Sequence, residues 1–398
     1  MRIAMVSAHA SPLDEARGTH VAELSSALTR HGHDVTVYTR REAPDVPGRM
    51  RTDRGYEVVH VPAGPATPLA DEQALPHTGD FISFLLREWA TSRPDVVHGH
   101  GWMSGMVGVL GGRRARVPVV QTFHSLAAAE RAGDTGPRER RRIEVLVGRE
   151  AAHVAAASSG EMAELIKAGV DRAKISVVPV GVDIDQFTPE GPRAERDQSY
   201  RVVTAAPSPQ YRDIEAVITA LSGLDDAELV IAGRPESGRL HDDPEVTKLR
   251  EHAENLGVGD RVVFAGAVAH SAMPALLRSA DAVVCATSHE SGAVALEAMA
   301  CGVPVVAKAA GAPADLVVNG VTGLLVPPGE PESLSRALRS LLLDDTLRNE
   351  FAVAGRDRVT ARYSWSRVAE DVLRVYARAG SASSGRTRSG RCHADSAG

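Results

Sequence analysis

The sequence predicts an α/β protein made of two doubly wound domains, each a parallel sheet covered by helices on both faces and the two facing a central cleft. Three observations lead there. Short apolar runs of strand length alternate with amphipathic stretches of helix length. That alternation stops between Pro179 and Tyr200, where Pro, Gly, Asp and Glu dominate, and restarts at Val202. The length of 398 residues suits two domains, at roughly 150 residues each.

In the first half, Ile3 to Val6 reads as a strand and Val21 to Thr29 as an amphipathic helix stopped by Gly32. Strands follow at Val35 to Tyr38 and Glu57 to Val61, a helix at Phe81 to Trp89, and strands at Val96 to His98 and Val117 to Thr122. Arg138 to Arg149 is a charged helix. Val154 to Ala157, Glu161 to Ala168 and Ile175 to Val178 complete the half as strand, helix and strand. The second half reads in the same way: a strand at Val202-Val203, helix Asp213 to Leu221, strand Glu228 to Ile231, helix Pro244 to Asn255, strand Val262 to Phe264 and helix Ala272 to Arg278. Three further helices are expected near Glu332 to Leu343, Leu347 to Arg362 and Ser366 to Ala379. The domain boundaries are therefore placed at 1–180 and 201–363, with a linker at 181–200, a returning helix at 364–379 and a tail at 380–398. The tail is rich in Ser, Gly and Arg, has no apolar face to bury, and is expected to be disordered.

Composition narrows the function classes. A net charge of -6 argues against nucleic acid as a partner. No apolar run reaches the roughly 18 residues that span a bilayer, although peripheral membrane contact stays compatible with the sequence. The N-terminal MRIAMVSAHA reads as a first strand, not a signal peptide. The three cysteines form no motif. That is what a cytoplasmic location predicts, with Cys285 and Cys301 as buried small residues.

The chemistry concentrates between Asp281 and Gly329. Strand Ala282 to Cys285 runs into a polar turn and then a helix that carries Glu297. A Gly-Val-Pro turn and strand Val305 to Ala307 follow. Open α/β sheets bind ligands beyond the carboxyl ends of their strands, and backbone N–H groups at a helix start suit anions such as phosphates. Gly292, Ala293 and Val294 occupy that helix start. Leu296, Ala298, Met299 and Ala300 make the helix apolar nearly all round, so a carboxylate at Glu297 needs a partner or a ligand. His124 follows the strand at Val117 to Thr122, where a site residue belongs. His98 and His100 flank Gly99 beyond an earlier strand. The three histidines offer metal-ligand nitrogens, but no carboxylate cluster joins them in sequence, and the expectation is that no metal or other cofactor is required. The Asp pairs at 225–226, 242–243 and 344–345 read as solvated turn residues.

Leu296 to Gly302 and Pro304 to Ala307 closely resemble the donor-binding motif of retaining GT-B glycosyltransferases of family 4. The resemblance extends over roughly residues 1 to 378 and includes the lead-in Tyr363-Ser364-Trp365. It implies the GT-B fold and a retaining transfer of a sugar from a nucleoside diphosphate sugar to an acceptor hydroxyl, on a small molecule or a glycan. It implies that Glu297 contacts the ribose hydroxyls, that His124 donates to the donor sugar, and that no metal is needed. The family's first motif carboxylate, which approaches the sugar hydroxyls, falls on His289 counting back from Glu297 and on Glu290 counting forward from the strand. Where the family has Gly-Arg-x-x-x-x-Lys-Gly to clamp the diphosphate, this chain has Ala206-Pro207-Ser208-Pro209-Gln210-Tyr211-Arg212-Asp213. Arg212 thus replaces the lysine, and Pro207, which donates nothing, replaces the arginine. The first loop has Glu15-Ala16 for the family's Gly-Gly, leaving Gly18 to supply an unusual backbone angle near the phosphates.

Within the family, His98 to Gly105 and Gly133-Asp134 resemble bacterial enzymes that use inositol phosphate as acceptor. The acidic stretch Leu69-Ala70-Asp71-Glu72 stands where those enzymes place cations, so that acceptor is not carried over. His98, His100 and Arg140 are the acceptor-side candidates. Three altered places, at 15–16, 207 and 289–290, fall in one expected cleft. They leave a second reading beside the enzyme: a catalytically impaired or inactive binding partner on a glycosyltransferase scaffold.

Overall fold

The computed structural model of the chain describes residues 1–14, 18–127, 137–206, 211–233, 240, 242–286 and 292–389. These fall into two compact units. One covers Val180–Ser364; the other joins Met1–Pro179 to the C-terminal segment that begins at Trp365. No described helix is long and apolar enough to cross a membrane.

The first unit contains β1 (Arg2–Val6), α1 (Thr19–Arg30), β2 (Asp34–Arg40), β3 (Arg49–Arg51), β4 (Glu57–Val61), α2 (Asp71–Ala74), α3 (Thr78–Thr91), β5 (Val96–His100), α4 (Trp102–Ala115), β6 (Val119–Thr122), α5 (Pro137–Glu150), β7 (His153–Ala156), α6 (Ser159–Lys167) and β8 (Ile175–Val177). Its strands lie in the order β3-β4-β2-β1-β5-β6-β7-β8. All neighbouring pairs are parallel except β3 with β4. The winding reverses between β1 and β5, which places a ligand crevice at their carboxyl ends.

Helix α4 was not expected from the sequence. Its four glycines, Gly105, Gly108, Gly111 and Gly112, give it poor helix propensity. Packing explains them: a Cβ on Gly105 would lie 2.2 Å from Gln121 Oε1, and one on Gly112 would lie 2.4 Å from Val119 Cγ2. The glycines let the helix settle closely onto β6.

The second unit contains β9 (Tyr200–Ala206), α7 (Tyr211–Leu221), β10 (Ala227–Gly233), α8 (Pro244–Asn255), β11 (Val262–Gly266), α9 (Met273–Arg278), β12 (Ala282–Cys285), α10 (Ala293–Ala300), β13 (Val305–Lys308), α11 (Gly311–Leu316), β14 (Gly323–Val326), α12 (Pro331–Leu343) and α13 (Asp345–Arg362). The strand order is β11-β10-β9-β12-β13-β14, parallel throughout. Here the winding reverses between β9 and β12. One apolar cluster runs from Val202 and Ile214 through Val284 and Val306 to Leu338 and Phe351. β14 and α11, each short, were not legible in the sequence.

The last helix, α14 (Trp365–Ser389), packs in the first unit against α1, β6 and β7. Its buried residues Val368, Val372, Val375, Tyr376 and Ala379 recur at helical spacing and form one face. The helix runs past its expected end at Ala379 into the Ser/Gly/Arg-rich segment expected to be disordered; once nucleated, a helix extends at little cost. Residues 390–398 lie outside the described residues.

Candidate active site

In the first unit, three histidines from three elements meet at the carboxyl edge of the sheet. His20 is in the first turn of α1, His100 ends β5, and His124 follows β6. His100 Nδ1 lies 3.1 Å from His124 Nε2, one ring donating and the other accepting. The His20 ring stands edge-on to His124 at 4.7 Å between centroids and edge-on to Trp365 at 5.2 Å. His100 is buried, and its Nε2 has no hydrogen-bond partner among the described residues. Burial, joined by the neighbouring rings, pushes His20 and His100 well below the ordinary imidazole range. The same desolvation lowers His124, although part of that residue is exposed. The cluster is therefore neutral at physiological pH: it donates and accepts hydrogen bonds, as sugar hydroxyls require, and carries no charge. Its nitrogens lie within 4.8 Å of one another, near enough for a metal ion. Yet among the described residues no carboxylate belongs to the group, and the short His100–His124 contact is accounted for as a hydrogen bond between neutral rings.

His98 does not face a ligand. It is wholly buried, with Tyr376 Oη 2.8 Å from Nδ1 and Thr122 Oγ1 2.9 Å from Nε2. It ties β5 and β6 to α14, and the acceptor role expected for it is corrected accordingly. Burial, with a smaller repulsion from His124, pushes its pKa down to about 3. A pKa below the unfolded value near 6.5 means that the unfolded chain takes up the proton first. Stability is thus full above about pH 6.5 and falls on acidification toward the folded pKa, by about 1.4 kcal/mol per pH unit for this residue alone. Thermal melts from pH 7.5 to 5 should show this fall, with a shallower slope in His98→Gln.

Arg140 is also reassigned. Its Nε donates to Glu144 Oε1 at 2.8 Å, and one guanidinium nitrogen donates to the carbonyl and hydroxyl of Ser125 at 3.1 and 3.0 Å. Glu144, buried, accepts the Ala127 N–H on both oxygens at 3.1 and 3.0 Å. The pair clamps the loop that follows His124 instead of offering a free cation to an acceptor. His124 itself is held at φ 66°, a left-handed conformation that is uncommon outside Gly but that Asn, Asp and His adopt more readily than other residues. Asp71, from the acidic stretch, accepts from Trp102 Nε1 at 3.0 Å.

Gly18 caps α1 with φ -98°, so the unusual backbone angle expected there is absent. Space is the reason for glycine: a Cβ would sit 1.8 Å from the Ser11 carbonyl oxygen. Residues 15–17 lie outside the described residues.

In the second unit, the turns after β9 and β12 flank the reversal point. Residues 207–210 and 287–291, including Pro207, His289 and Glu290, lie outside the described residues, as does the side chain of Arg212 at the start of α7. Beyond the second turn, Gly292 caps α10 at φ 82°, with no side-chain cap. Ala293 and Val294 form the first turn, so the positive end of the helix dipole points toward the crevice. A Cβ on Gly292 would lie 2.4 Å from Leu316 Cδ1. Gly292→Ala should therefore lower the stability of this unit by about 2 kcal/mol, combining backbone strain with overpacking, a loss measurable as a lower denaturant midpoint.

Glu297 lies one turn along α10, while Ala295, Leu296, Ala298, Met299 and Ala300 are buried around it. Its Oε1 is 3.2 Å from His270 Nε2, and its side chain is only 13% exposed. His270, in the turn between β11 and α9, stands edge-on to Phe187 at 5.2 Å. It is the partner that the apolar helix required. Sequence reasoning missed it; its place just after a strand end was the available signal.

Residues 192–358 match the family model for glycosyl transferases group 1, and residues 17–181 match a glycosyl transferase 4-like domain. A D-inositol 3-phosphate glycosyltransferase of Xylanimonas cellulosilytica is 36% identical, with 95% of this chain and 97% of the relative covered. This chain is a group 1 glycosyltransferase. Among solved structures, the glycosyltransferase resembles sucrose-phosphate synthase from Thermosynechococcus elongatus, with a TM-score of 0.82 and 25% identity over 94% of this chain and 98% of that one. Anabaena HepE, solved in complex with UDP and glucose, matches with a TM-score of 0.72 and 20% identity over 95% and 99% of the two chains. These neighbours share the GT-B architecture seen here. A non-catalytic scaffold is not favoured for the glycosyltransferase, because the relative matched along nearly its whole length is named as an enzyme.

Proposed function

We propose that the enzyme moves a sugar from a nucleoside diphosphate sugar to an acceptor hydroxyl and keeps the anomeric configuration. The observation that carries this reading is Glu297, a nearly buried carboxylate held by His270, one turn beyond the amino terminus of α10 and beside the reversal point of the sheet. A carboxylate accepts two hydrogen bonds from a vicinal diol, which suits a ribose. A helix start suits phosphates and needs no particular side chain there. UDP and glucose in the HepE structure support a donor of this class.

In the proposed reaction, the bond from the anomeric carbon to the diphosphate oxygen breaks. The acceptor oxygen bonds to that carbon on the same face, and its proton passes to the departing diphosphate. Arg212 and the α10 backbone stabilise the charge that collects on the leaving group. His124 donates to the sugar, His289 or Glu290 approaches its hydroxyls, and His100 offers its unpaired nitrogen on the acceptor side. No metal takes part. The acceptor is a hydroxyl compound, small molecule or glycan; Arg140, engaged with Glu144 and Ser125, is not assigned to it. Proton NMR of the sugar first released during slow donor hydrolysis tests the stereochemistry. An α-linked donor should yield the α anomer before mutarotation; the β anomer would overturn the retaining assignment.

A further inference from the structure

Strand β13 is apolar and buried through Val305, Val306 and Ala307, yet it ends on Lys308. Ala307 pairs in register with Cys285 of β12. Lys308 therefore stands beside the exit of β12, where the chain turns toward Gly292 and α10. Its Nζ is ion-paired with Asp213 Oδ1. Asp213 lies in the first turn of α7, next to Arg212 and just past the β9–α7 turn. The pair thus joins the end of β13, the strand next to β12, to the start of α7, the helix that follows β9; β9 and β12 flank the reversal point of this sheet.

The surroundings are mostly apolar, with Val284, Cys285, Ala286, Val306, Val326 and Leu334 lining the same recess, and Glu330, which accepts from Ser333 Oγ, at its edge. Lys308 and Asp213 are 15% and 19% exposed. An ion pair in such a place adds little stability over an apolar pair of similar size, so tethering α7 does not by itself account for the charges. Their position does. A lysine is a compact charge on a flexible four-carbon stem, able to change partner without moving the backbone. The β9–α7 turn, Pro207 to Gln210, contains no cation of its own.

We infer that Lys308 is a second cation for the donor diphosphate, held by Asp213 in the free enzyme and turned toward the phosphates when the donor binds. The inference rests on the nucleoside diphosphate reading of this site. It also assigns Asp213 a role: the carboxylate competes with the donor for the same ammonium group and balances its charge within the mostly apolar recess.

Calorimetric titration of UDP, GDP and ADP, and of the matching nucleosides, into wild type, Lys308→Met and Asp213→Asn tests this. Lys308→Met should weaken the diphosphate that wild type binds by tenfold or more and leave its nucleoside within twofold. Asp213→Asn should tighten the diphosphate about threefold, because the lysine loses the carboxylate that holds it. A purely structural pair predicts the opposite pattern, with both variants losing stability alike and the diphosphate weakened in both; that result overturns the inference. Should Lys308→Met fail to fold, Asp213→Asn decides alone, and unchanged or weaker diphosphate binding overturns it. Wild type binding none of the diphosphates would sink the donor reading itself, whereas wild-type binding with an unaffected Lys308→Met sinks only the lysine's role.

Discussion

Glu297→Gln is expected to lower kcat/KM for the nucleotide sugar by about a hundredfold, the equivalent of about 3 kcal/mol. The amide keeps the shape but loses the charge, and with it the strength of two hydrogen bonds to a ribose diol. It also presents an N–H₂ group toward hydroxyls or toward His270 Nε2, now 3.2 Å from the carboxylate. The loss should appear chiefly in donor affinity, since ribose contacts are made alike in ground state and transition state. Steady-state kinetics with donor varied, alongside nucleoside diphosphate affinity, measure it. His270→Ala should reproduce part of the effect by freeing the carboxylate to rotate.

His124 carries the second large effect. His124→Ala is expected to reduce kcat by about a hundredfold, in the range seen when one transition-state donor is removed. Alanine is also poorly suited to the φ of 66° at this position, by about 1 kcal/mol or more. His124→Asn separates the two roles. Asparagine tolerates the left-handed region, so its melting temperature should return to that of wild type while kcat stays low. If asparagine restored turnover as well, the histidine's contribution would be only to the backbone. Glu144→Gln, which loosens the clamp on the Ala127 N–H, should lie between wild type and His124→Ala.

Much of the fold was legible because strand and helix periodicities survive in a single sequence. Regions where packing overrides propensity were not. Helix α4 was not expected, since its four glycines lower helix propensity while permitting close contact with β6. For the site, Glu297 stood out as one carboxylate on an otherwise apolar helix, yet its partner His270, 27 residues earlier, belongs to no motif. His98 and His100 looked equivalent from their spacing. They differ because Tyr376, 278 residues away, covers His98, while His100 lies at the strand end and faces His124. His20 carried no signal of its own in the sequence, since nothing local brings α1 beside β5 and β6. Arg140 looked like a spare cation because Ser125 becomes its neighbour only through folding, although Glu144, four residues on along the same helix, was a local partner. Lys308 ends a strand in a way that periodicity ignores.

The second unit is expected to bind a nucleoside diphosphate through Glu297 and the start of α10. Calorimetric titration of wild type and Glu297→Gln with UDP, GDP and ADP, run at a single salt concentration, tests it most directly. Wild type should bind at least one of the three, and Glu297→Gln should bind it at least tenfold more weakly, with its melting temperature little changed. Equal affinity in the two proteins, or no binding of any diphosphate by wild type, would contradict it.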